Sequence, residues 1–292
     1  MRHPRDGGKA GRCAMLLPFL LLCLPGVALA GPIEDLRGRW ATAPDAAPAM
    51  EWSGDAIVLS SRAHGESAMV LELLTRDHGR HLGLVHGGSS RRVKPALQPG
   101  NSVHVHWRAR LEEHLGSFTC ELAKARAGEL MDSRAALAGL NAFTAMASAA
   151  MPERQSYAPV FLSGEILLDA MLSDDAAHWL PLYVRWEAGL LEALGFGLDL
   201  SECAATGIKT DLTYVSPRTG RAVSRDAAGI YANRLFRLPA YLTDARADEP
   251  ACDDVAAGLA LTGHFLLERV LRPHGRDMPP ARLRLDGLLP HT

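Results

Sequence analysis

The sequence has few cysteines, few aromatic residues and no strong excess of charge of either sign. Five cysteines in 292 residues are too few for a disulfide-stapled scaffold. A formal net charge of −2, from 31 basic and 33 acidic residues, argues against binding nucleic acid through overall charge. A hydrophobic content of 48% excludes a disordered tail, and the length allows two domains with real cores.

Catalytic motifs are also missing. The sequence contains no G-x-S-x-G, Walker A, H-E-x-x-H or Rossmann glycine fingerprint. The acidic pairs Asp174-Asp175 and Asp253-Asp254 precede apolar helical patterns, where negative charge stabilises a helix start. We therefore predict that the protein is not an enzyme and uses no cofactor.

Candidates for a metal site are isolated. Cys203 is followed by Thr206, where a Cys-x-x-Cys pair would need its second sulfur, and the next cysteine is Cys252. Two sulfurs this far apart do not make a four-ligand zinc site. His104 and His106 would share one face of a strand, but no third ligand lies near them, so a surface or partly buried pair is the stronger interpretation. The sequence predicts no metal.

The first 49 residues look like a leader. Basic residues precede an apolar run over 14–30 that ends in Ala-x-Ala, the pattern of a secretory signal, and residues 31–49 form an Ala- and Pro-rich spacer. Two interpretations compete. Either the protein is exported, or the true translation start is Met50 and the leader does not belong to it.

The segment 50–127 has a β pattern. Five short apolar or alternating runs are separated by Gly-, Asp- and Ser-containing turns, at residues 56–59, 67–75, 81–86, 103–107 and 118–122. Residues 87–94, between the third and fourth runs, read as a flexible basic loop. Short, strongly turned strands of this number predict a five-stranded OB-fold β-barrel.

The segment 128–292 has a helical pattern and more acidic than basic residues. Apolar residues at helical spacing predict helices at 135–150, 160–172, 179–194 and 255–271. A small zinc-free hairpin insertion is expected at 201–225, with strands at 212–215 and 222–223 on either side of a Pro-Arg-Thr-Gly turn. The fold class is therefore α+β: a barrel domain followed by an α-helical domain.

Several segments resemble the bacterial DNA-repair protein RecO. The opening 56–92 has that family's Gly-Glu turn at Gly65-Glu66 and its Thr-Arg-x-x-Gly-Arg turn from Thr75 to Arg80. Further segments follow in the family's order, at 97–99, 190–200, 203–207 and 214–220. The resemblance covers residues 50 to about 240 and begins at Met50, so it favours Met50 as the start and a cytoplasmic, nucleoid-associated protein.

The resemblance implies a DNA repair and recombination mediator. Such a protein would bind single- and double-stranded DNA, promote strand annealing, and act with RecR to load RecA onto strands coated by single-strand-binding protein. Its helical domain would hold the acidic C-terminal tail of single-strand-binding protein. The alternative is an exported envelope binding protein with an OB-like barrel, if the signal-like segment is real.

The candidate DNA-binding residues are cations of the barrel and one aromatic residue: Arg91, Arg92, Lys94, Arg76, Arg80, Arg108, Arg110 and Trp107. OB barrels bind single strands with cations along the backbone and aromatic rings under the bases. The loop cations Arg91, Arg92 and Lys94 fit this role best. Trp107 lies out of phase with Arg108 and Arg110, so it is either a stacking residue or a core residue.

The candidate residues for the partner's tail are fewer. A tail with a terminal carboxylate and an aromatic side chain needs an apolar groove with an arginine on its rim. Four residues of the predicted helices could supply it: Arg185, Trp186, Leu266 and Arg269. The sequence gives no ground for ranking them.

Overall fold

The computed structural model of the chain describes residues 50–111, 113–173, 175–244 and 250–289. The expectations for the leader and for Asp174 lie outside these residues. The described part begins with five strands: β1 (Met50–His64), β2 (Ala68–Thr75), β3 (Gly79–Val85), β4 (Ser102–Ala109) and β5 (Ser117–Lys124). They form a closed barrel in the order β1-β2-β3-β5-β4. This confirms the predicted OB-like fold.

Barrel closure depends on one parallel contact. All other neighbouring strands are antiparallel, but β3 and β5 pair in parallel at Leu84 and Ser117. The first strand is much longer than the run 56–59 predicted, because its first half pairs with β4 and its second half with β2. One strand therefore belongs to both sides of the barrel.

The apolar run 56–59 is buried on both faces. Ala56 and Val58 point into the barrel core, whereas Ile57 and Leu59 belong to the core of the helical domain. Successive strand residues point to opposite faces, so four consecutive buried residues require cover on both sides of the sheet. The outer face of β1 is thus where the helices dock.

The helical domain contains the predicted helices and several short ones. The helices are α1 (Ala127–Asp132), α2 (Arg134–Ala150), α3 (Ala158–Met171), α4 (Ala176–Ala193), α5 (Arg225–Ala228), α6 (Cys252–Phe265) and α7 (Pro280–Leu283). A π-helical turn, Leu266–Leu271, extends α6 and completes the predicted span 255–271. The Asp175 side chain caps α4 by accepting the N–H of Ala177 (2.9 Å). Among the described residues, no helix has the length and apolarity needed to cross a bilayer.

The hairpin insertion is part of a three-stranded sheet. Strands β6 (Leu212–Val215) and β7 (Ala222–Ser224) match the prediction, and a two-residue strand, β8 (Phe236–Arg237), pairs with the free edge of β6. Between β7 and β8, a 3₁₀-helical segment (Gly229–Arg234) follows α5. Neither β8 nor this segment has a clear sequence pattern.

A buried arginine joins the barrel to the helices. Arg126, just after β5, donates to Glu165 (2.6 Å) and Asp169 (2.6 Å) of α3, and also to the Ser102 hydroxyl on β4. Its own backbone N–H donates to the Asn101 side-chain oxygen (2.9 Å). Barrel and helices therefore form one compact unit.

Candidate nucleic-acid interface

The loop between β3 and β4 is a series of hydrogen-bonded turns. The Ser90 carbonyl accepts the N–H groups of Val93 (3.2 Å) and Lys94 (3.0 Å). Leu97 is fully buried in the barrel core, and the Asn101 amide donates to the Pro95 carbonyl (2.9 Å). The prediction of a flexible loop is therefore corrected, because buried and hydrogen-bonded residues fix its backbone.

Three cations project from this ordered loop. Arg91, Arg92 and Lys94 are exposed, and none has an ion-pair partner among the described residues. We call these three residues the cationic loop. Since their charges are not neutralised by the protein and their backbone is held in turns, they are available to an anionic ligand at a small conformational cost.

The cations at the end of β4 lie away from the cationic loop. Arg108 and Arg110 are exposed and point outward, as the alternation of β4 predicts. Six residues separate Ser102, at the end of the loop, from Arg108, which corresponds to about 20 Å of strand. Glu51 on β1 is the backbone partner of Arg108, but its carboxylate lies 3.7 Å from the His106 ring. The predicted cations thus form two groups and not one patch.

Arg76 and Arg80 flank the turn between β2 and β3 but have different surroundings. Arg76 is exposed, with the Asp77 carboxylate 4.0 Å away. Arg80 is nearly buried and donates to Glu72 (2.7 Å), Glu153 (3.3 Å) and the Met151 carbonyl (2.8 Å). The Glu72 bond lies within the barrel, whereas the bonds to Met151 and Glu153 tie the barrel to the helical domain. Because its guanidinium is engaged in this way, Arg80 is not one of the freely exposed cations that the sequence predicts for DNA contact.

Trp107 is a core residue. It is 2% exposed, and its indole N–H donates to the Leu115 carbonyl (3.1 Å), so it cannot stack on a base. Trp52 lies beside it on β1 (5.8 Å between ring centroids) and stacks on His78 (4.1 Å) at the end of the barrel. Of the two interpretations that the sequence left open, the core residue is the correct one.

The histidines of this barrel end add little positive charge at neutral pH. Burial lowers the pKa of His81, and the nearby charges of Arg154 and His78 lower it further. Partial burial also lowers the pKa of His78, against the opposing effect of Asp77. Both rings are therefore mainly neutral near pH 7, so the arginines supply the positive charge of this end.

Arg62 was not predicted as a site residue. It lies on the outward face of β1, opposite Val70, and is exposed with no ion-pair partner in the described part of the chain. The β1–β2 turn, which follows Arg62, is hydrogen-bonded to the start of the β3–β4 loop: the Ser89 N–H donates to the Ser67 carbonyl (3.1 Å). The alternation of Ser60, Arg62 and His64 along a longer β1 is the signal that would have found it.

The four predicted tail-binding residues are not brought together. Trp186 (2% exposed) and Leu266 (fully buried) are core residues, so their predicted role in a surface groove is wrong. Arg269 lies over the Phe265 ring (4.6 Å) and donates to the Arg218 carbonyl (3.1 Å), which fastens the β6–β7 turn to α6.

Arg185 lines two open grooves. It donates twice to the Tyr241 carbonyl (2.8 and 3.2 Å), which fixes its position. On one side lies a groove of about 410 Å³ whose walls include Pro159, Val160 and Ala193. A groove of about 840 Å³ on the other side includes the carboxylate-bearing residues Glu192 and Asp199. The smaller groove is the better match to the predicted apolar site, although Glu192 also borders it.

The described residues contain no group of three or more His, Cys, Asp or Glu side chains that could hold a metal ion. Cys203 is buried beneath β7, where its sulfur accepts hydrogen bonds from the backbone and hydroxyl of Ser224. Burial opposes ionisation of this thiol, but these bonds and one from Thr206 lower its pKa to about 6. His104 and His106 pair with Asp55 (3.0 Å) and Glu51 (3.7 Å) on the barrel surface.

The fold defines an OB-barrel protein with an appended helical domain. Family models for "Recombination protein O N terminal" and "Recombination protein O C terminal" match residues 50–126 and 131–277. The DNA repair protein RecO of Cereibacter sphaeroides strain KD131 is 50% identical over 243 residues, which cover 82% of this chain and 98% of that relative. The RecO proteins of Phenylobacterium zucineum and Caulobacter vibrioides are 51% and 50% identical, each over 81% of this chain and 96% of the relative.

The chain therefore belongs to the RecO family of DNA repair proteins. Membership confirms the resemblance found in the sequence and the prediction of a DNA repair and recombination protein. The family consists of recombination mediators and not of enzymes. Membership also favours the repair hypothesis over that of an envelope binding protein.

Proposed function

We propose that the protein is a recombination mediator that binds single- and double-stranded DNA and promotes strand annealing. With RecR, it helps to load RecA onto strands coated by single-strand-binding protein, and it acts in the cytoplasm at the nucleoid. The observation that carries the proposal is the cationic loop, an ordered and unpaired group of charges on an OB-like barrel. Family membership supports it, because the relatives are named DNA repair proteins.

The cationic loop supplies affinity without sequence preference. Arg91, Arg92 and Lys94 contact phosphates, which are the same in every sequence. The exposed arginines at the other barrel end, Arg76, Arg108 and Arg110, form a second and weaker part of the contact. DNA binding is thus local on a chain that carries a small net negative charge.

Replacing Arg91, Arg92 and Lys94 together with alanine tests this proposal. We expect weaker binding of a labelled oligonucleotide. We also expect the slope of log K against log salt concentration to become shallower by about 2 to 3, because up to three phosphate contacts are lost. Fluorescence anisotropy at several salt concentrations measures both. The matched control replaces Arg134, Arg272 and Arg284, three exposed arginines of the helical domain, and removes the same charge. Equal behaviour of the two triple variants would count against the cationic loop.

We place the tail of single-strand-binding protein in the smaller groove beside Arg185. The tail's terminal carboxylate would accept from Arg185, and its aromatic side chain would lie against Pro159 and Val160. Arg185 is held by Tyr241 and so loses little side-chain freedom on binding. This pairing of a fixed cation with an apolar wall favours Arg185 over Arg269 as the tail-binding arginine. The Arg269 guanidinium is already bonded to the Arg218 carbonyl.

A further inference from the structure

The small sheet is basic within a domain that is otherwise acidic. Residues 203–238 contain six basic and two acidic side chains. Three of the cations are paired with carboxylates: Arg221 with Asp199 (3.1 Å), Arg225 with Asp211 (3.5 Å) and Arg237 with Asp254 (2.6 Å). Lys209, Arg218 and Arg234 are exposed and have no ion-pair partner in the ranges the structure describes. Unpaired positive charge thus concentrates here.

Large apolar side chains are exposed beside two of these cations. Ile230 is 86% exposed and Tyr231 is 57% exposed, both on the 3₁₀-helical segment, and Ile208 of the preceding loop is 42% exposed. Folding gains nothing from an aromatic ring and an isoleucine held in water. Exposed apolar side chains that cluster next to polar ones commonly mark a binding surface.

The local geometry places Tyr231 and Arg234 on one face of the 3₁₀ segment. Residues three apart eclipse one another in a 3₁₀ helix, so Tyr231 and Arg234 share a face. Ala232 packs inward on the small core around Cys203. The Cys203 N–H donates to the Ile208 carbonyl (2.8 Å), which holds the Lys209 loop to that same core. The loop and the 3₁₀ segment are therefore both anchored to the small core around Cys203.

We propose that Ile208, Lys209, Ile230, Tyr231 and Arg234, which we call the Tyr231 surface, bind single-stranded DNA as a second contact, separate from the cationic loop. The proposal rests on the proposed function and extends it. An unpaired base stacks on the Tyr231 ring, and Lys209 and Arg234 meet the adjoining phosphates. Aromatic rings beside cations are the usual means of holding a single strand without sequence preference, and a ring can stack only on a base that is not already paired.

The charges favour nucleic acid as the occupant. The two acidic residues of the segment are Asp211, whose charge Arg225 offsets, and the exposed Asp226. The unpaired cations Lys209 and Arg234 come from two different anchored elements, as a ligand with a charged backbone requires. Annealing brings two strands together, and a protein with two separate contacts on different elements can hold one strand at each.

Single substitutions in the full chain test the Tyr231 surface. Tyr231→Ala should weaken binding of a fluorescein-labelled oligothymidylate by about tenfold, because stacking on one aromatic ring is lost, whereas Tyr231→Phe should bind like the parent. Arg234→Glu should weaken binding and lower its salt dependence. Its matched control is Arg218→Glu, an exposed and unpaired arginine in the β6–β7 turn, at the opposite end of the hairpin. These side chains are exposed, so thermal melting should be unchanged.

The outcomes separate this inference from the proposed function. Loss of affinity in the cationic-loop variant, with Tyr231→Ala and Arg234→Glu binding like the parent, would overturn the inference alone. If none of the variants lost affinity, both would fall. Loss of RecR binding with DNA affinity intact would identify the Tyr231 surface as a protein interface and would also overturn the inference. Loss of affinity in Tyr231→Ala, restored in Tyr231→Phe, is the result we expect.

Discussion

Arg126 is a fully buried cation, and its carboxylate partners decide whether that burial is tolerated. Glu165 and Asp169 both accept from it at 2.6 Å. Partial burial opposes ionisation of Asp169, but hydrogen bonds from Arg126 and Lys124 outweigh this effect and hold the pKa of the carboxyl below its usual range. A buried guanidinium with a missing partner is strongly destabilising, so this pair makes the fold sensitive to acid.

Asp169→Asn tests that sensitivity. A carboxyl whose folded pKa is lowered stabilises the fold above its unfolded pKa, near 3.8, and loses that contribution as the pH falls through the folded pKa. We therefore expect the difference in unfolding free energy between parent and Asp169→Asn to be largest above pH 4 and to shrink below it. Urea unfolding from pH 7 to pH 3 measures this, with the exposed Asp277→Asn as control. A difference that stays constant across this range would contradict the assignment.

The roles of single side chains were predictable where a local pattern controls them. The alternation of β4 separates Trp107 from its flanking arginines, and burial follows that alternation. Arg80 was not predictable, because its partners Met151 and Glu153 are more than seventy residues away. Trp186 was misassigned for a similar reason, since helical periodicity alone does not show which neighbour covers a given face.

The turn between β2 and β3 shows how a short element positions a domain. The Thr75 hydroxyl donates to the Gly79 carbonyl (2.8 Å) and accepts from the His78 N–H (3.0 Å). Gly79 has a positive φ of 65°, and a Cβ placed on it would lie 1.9 Å from the Gln155 carbonyl oxygen of the helical domain. Glycine is thus needed twice, for the turn and for the close approach of the two domains.

Gly79→Ala should destabilise the fold by more than the conformational cost alone. Gly65, in the β1–β2 turn, has nearly the same φ of 62°, but a Cβ placed there would have no atom within 4 Å. Gly65→Ala therefore measures the cost of the backbone conformation alone, about 1–2 kcal/mol. Any further loss of unfolding free energy in Gly79→Ala, beyond that in Gly65→Ala, is the cost of the steric contact with Gln155. Chemical unfolding of both variants gives the comparison, and equal losses would show that the contact is not rigid.

Elements with strong periodicity were predicted to within a few residues, and those without it were missed. Helix α2 (Arg134–Ala150) and strands β6 and β7 lie where the sequence places them. Strand β8 has only two residues, and the six residues of the 3₁₀ segment show no regular alternation of apolar and polar side chains. The Tyr231 surface lies on such a segment, which is why sequence reasoning did not find it.

Three side chains of the barrel lie in the hydrophobic core of the helical domain. Ile57 and Leu59 of β1 and Leu74 of β2 are buried against helices, including Phe143 of α2. The sequence predicts two domains, 50–127 and 128–292, because its periodicity changes there, but periodicity reports elements and not the contacts between them. A barrel without its helices would expose these three side chains to water, so we do not expect the two parts to be independent in stability.

Hydrogen exchange along a denaturant series should show barrel and helices opening together. Because three barrel side chains and the buried Arg126 are held by the helical domain, peptides from β2 and from α3 should lose protection at the same urea concentration. In Arg126→Met the junction keeps its apolar contacts, but Glu165 loses its cation and Asp169 is left with Lys124 alone. Both sets of peptides should then shift together to lower urea. Mass spectrometry of quenched samples resolves the two regions. Barrel peptides that exchange while helix peptides stay protected would mean that these contacts do not couple them, and the cationic loop would then be carried by an independently opening barrel.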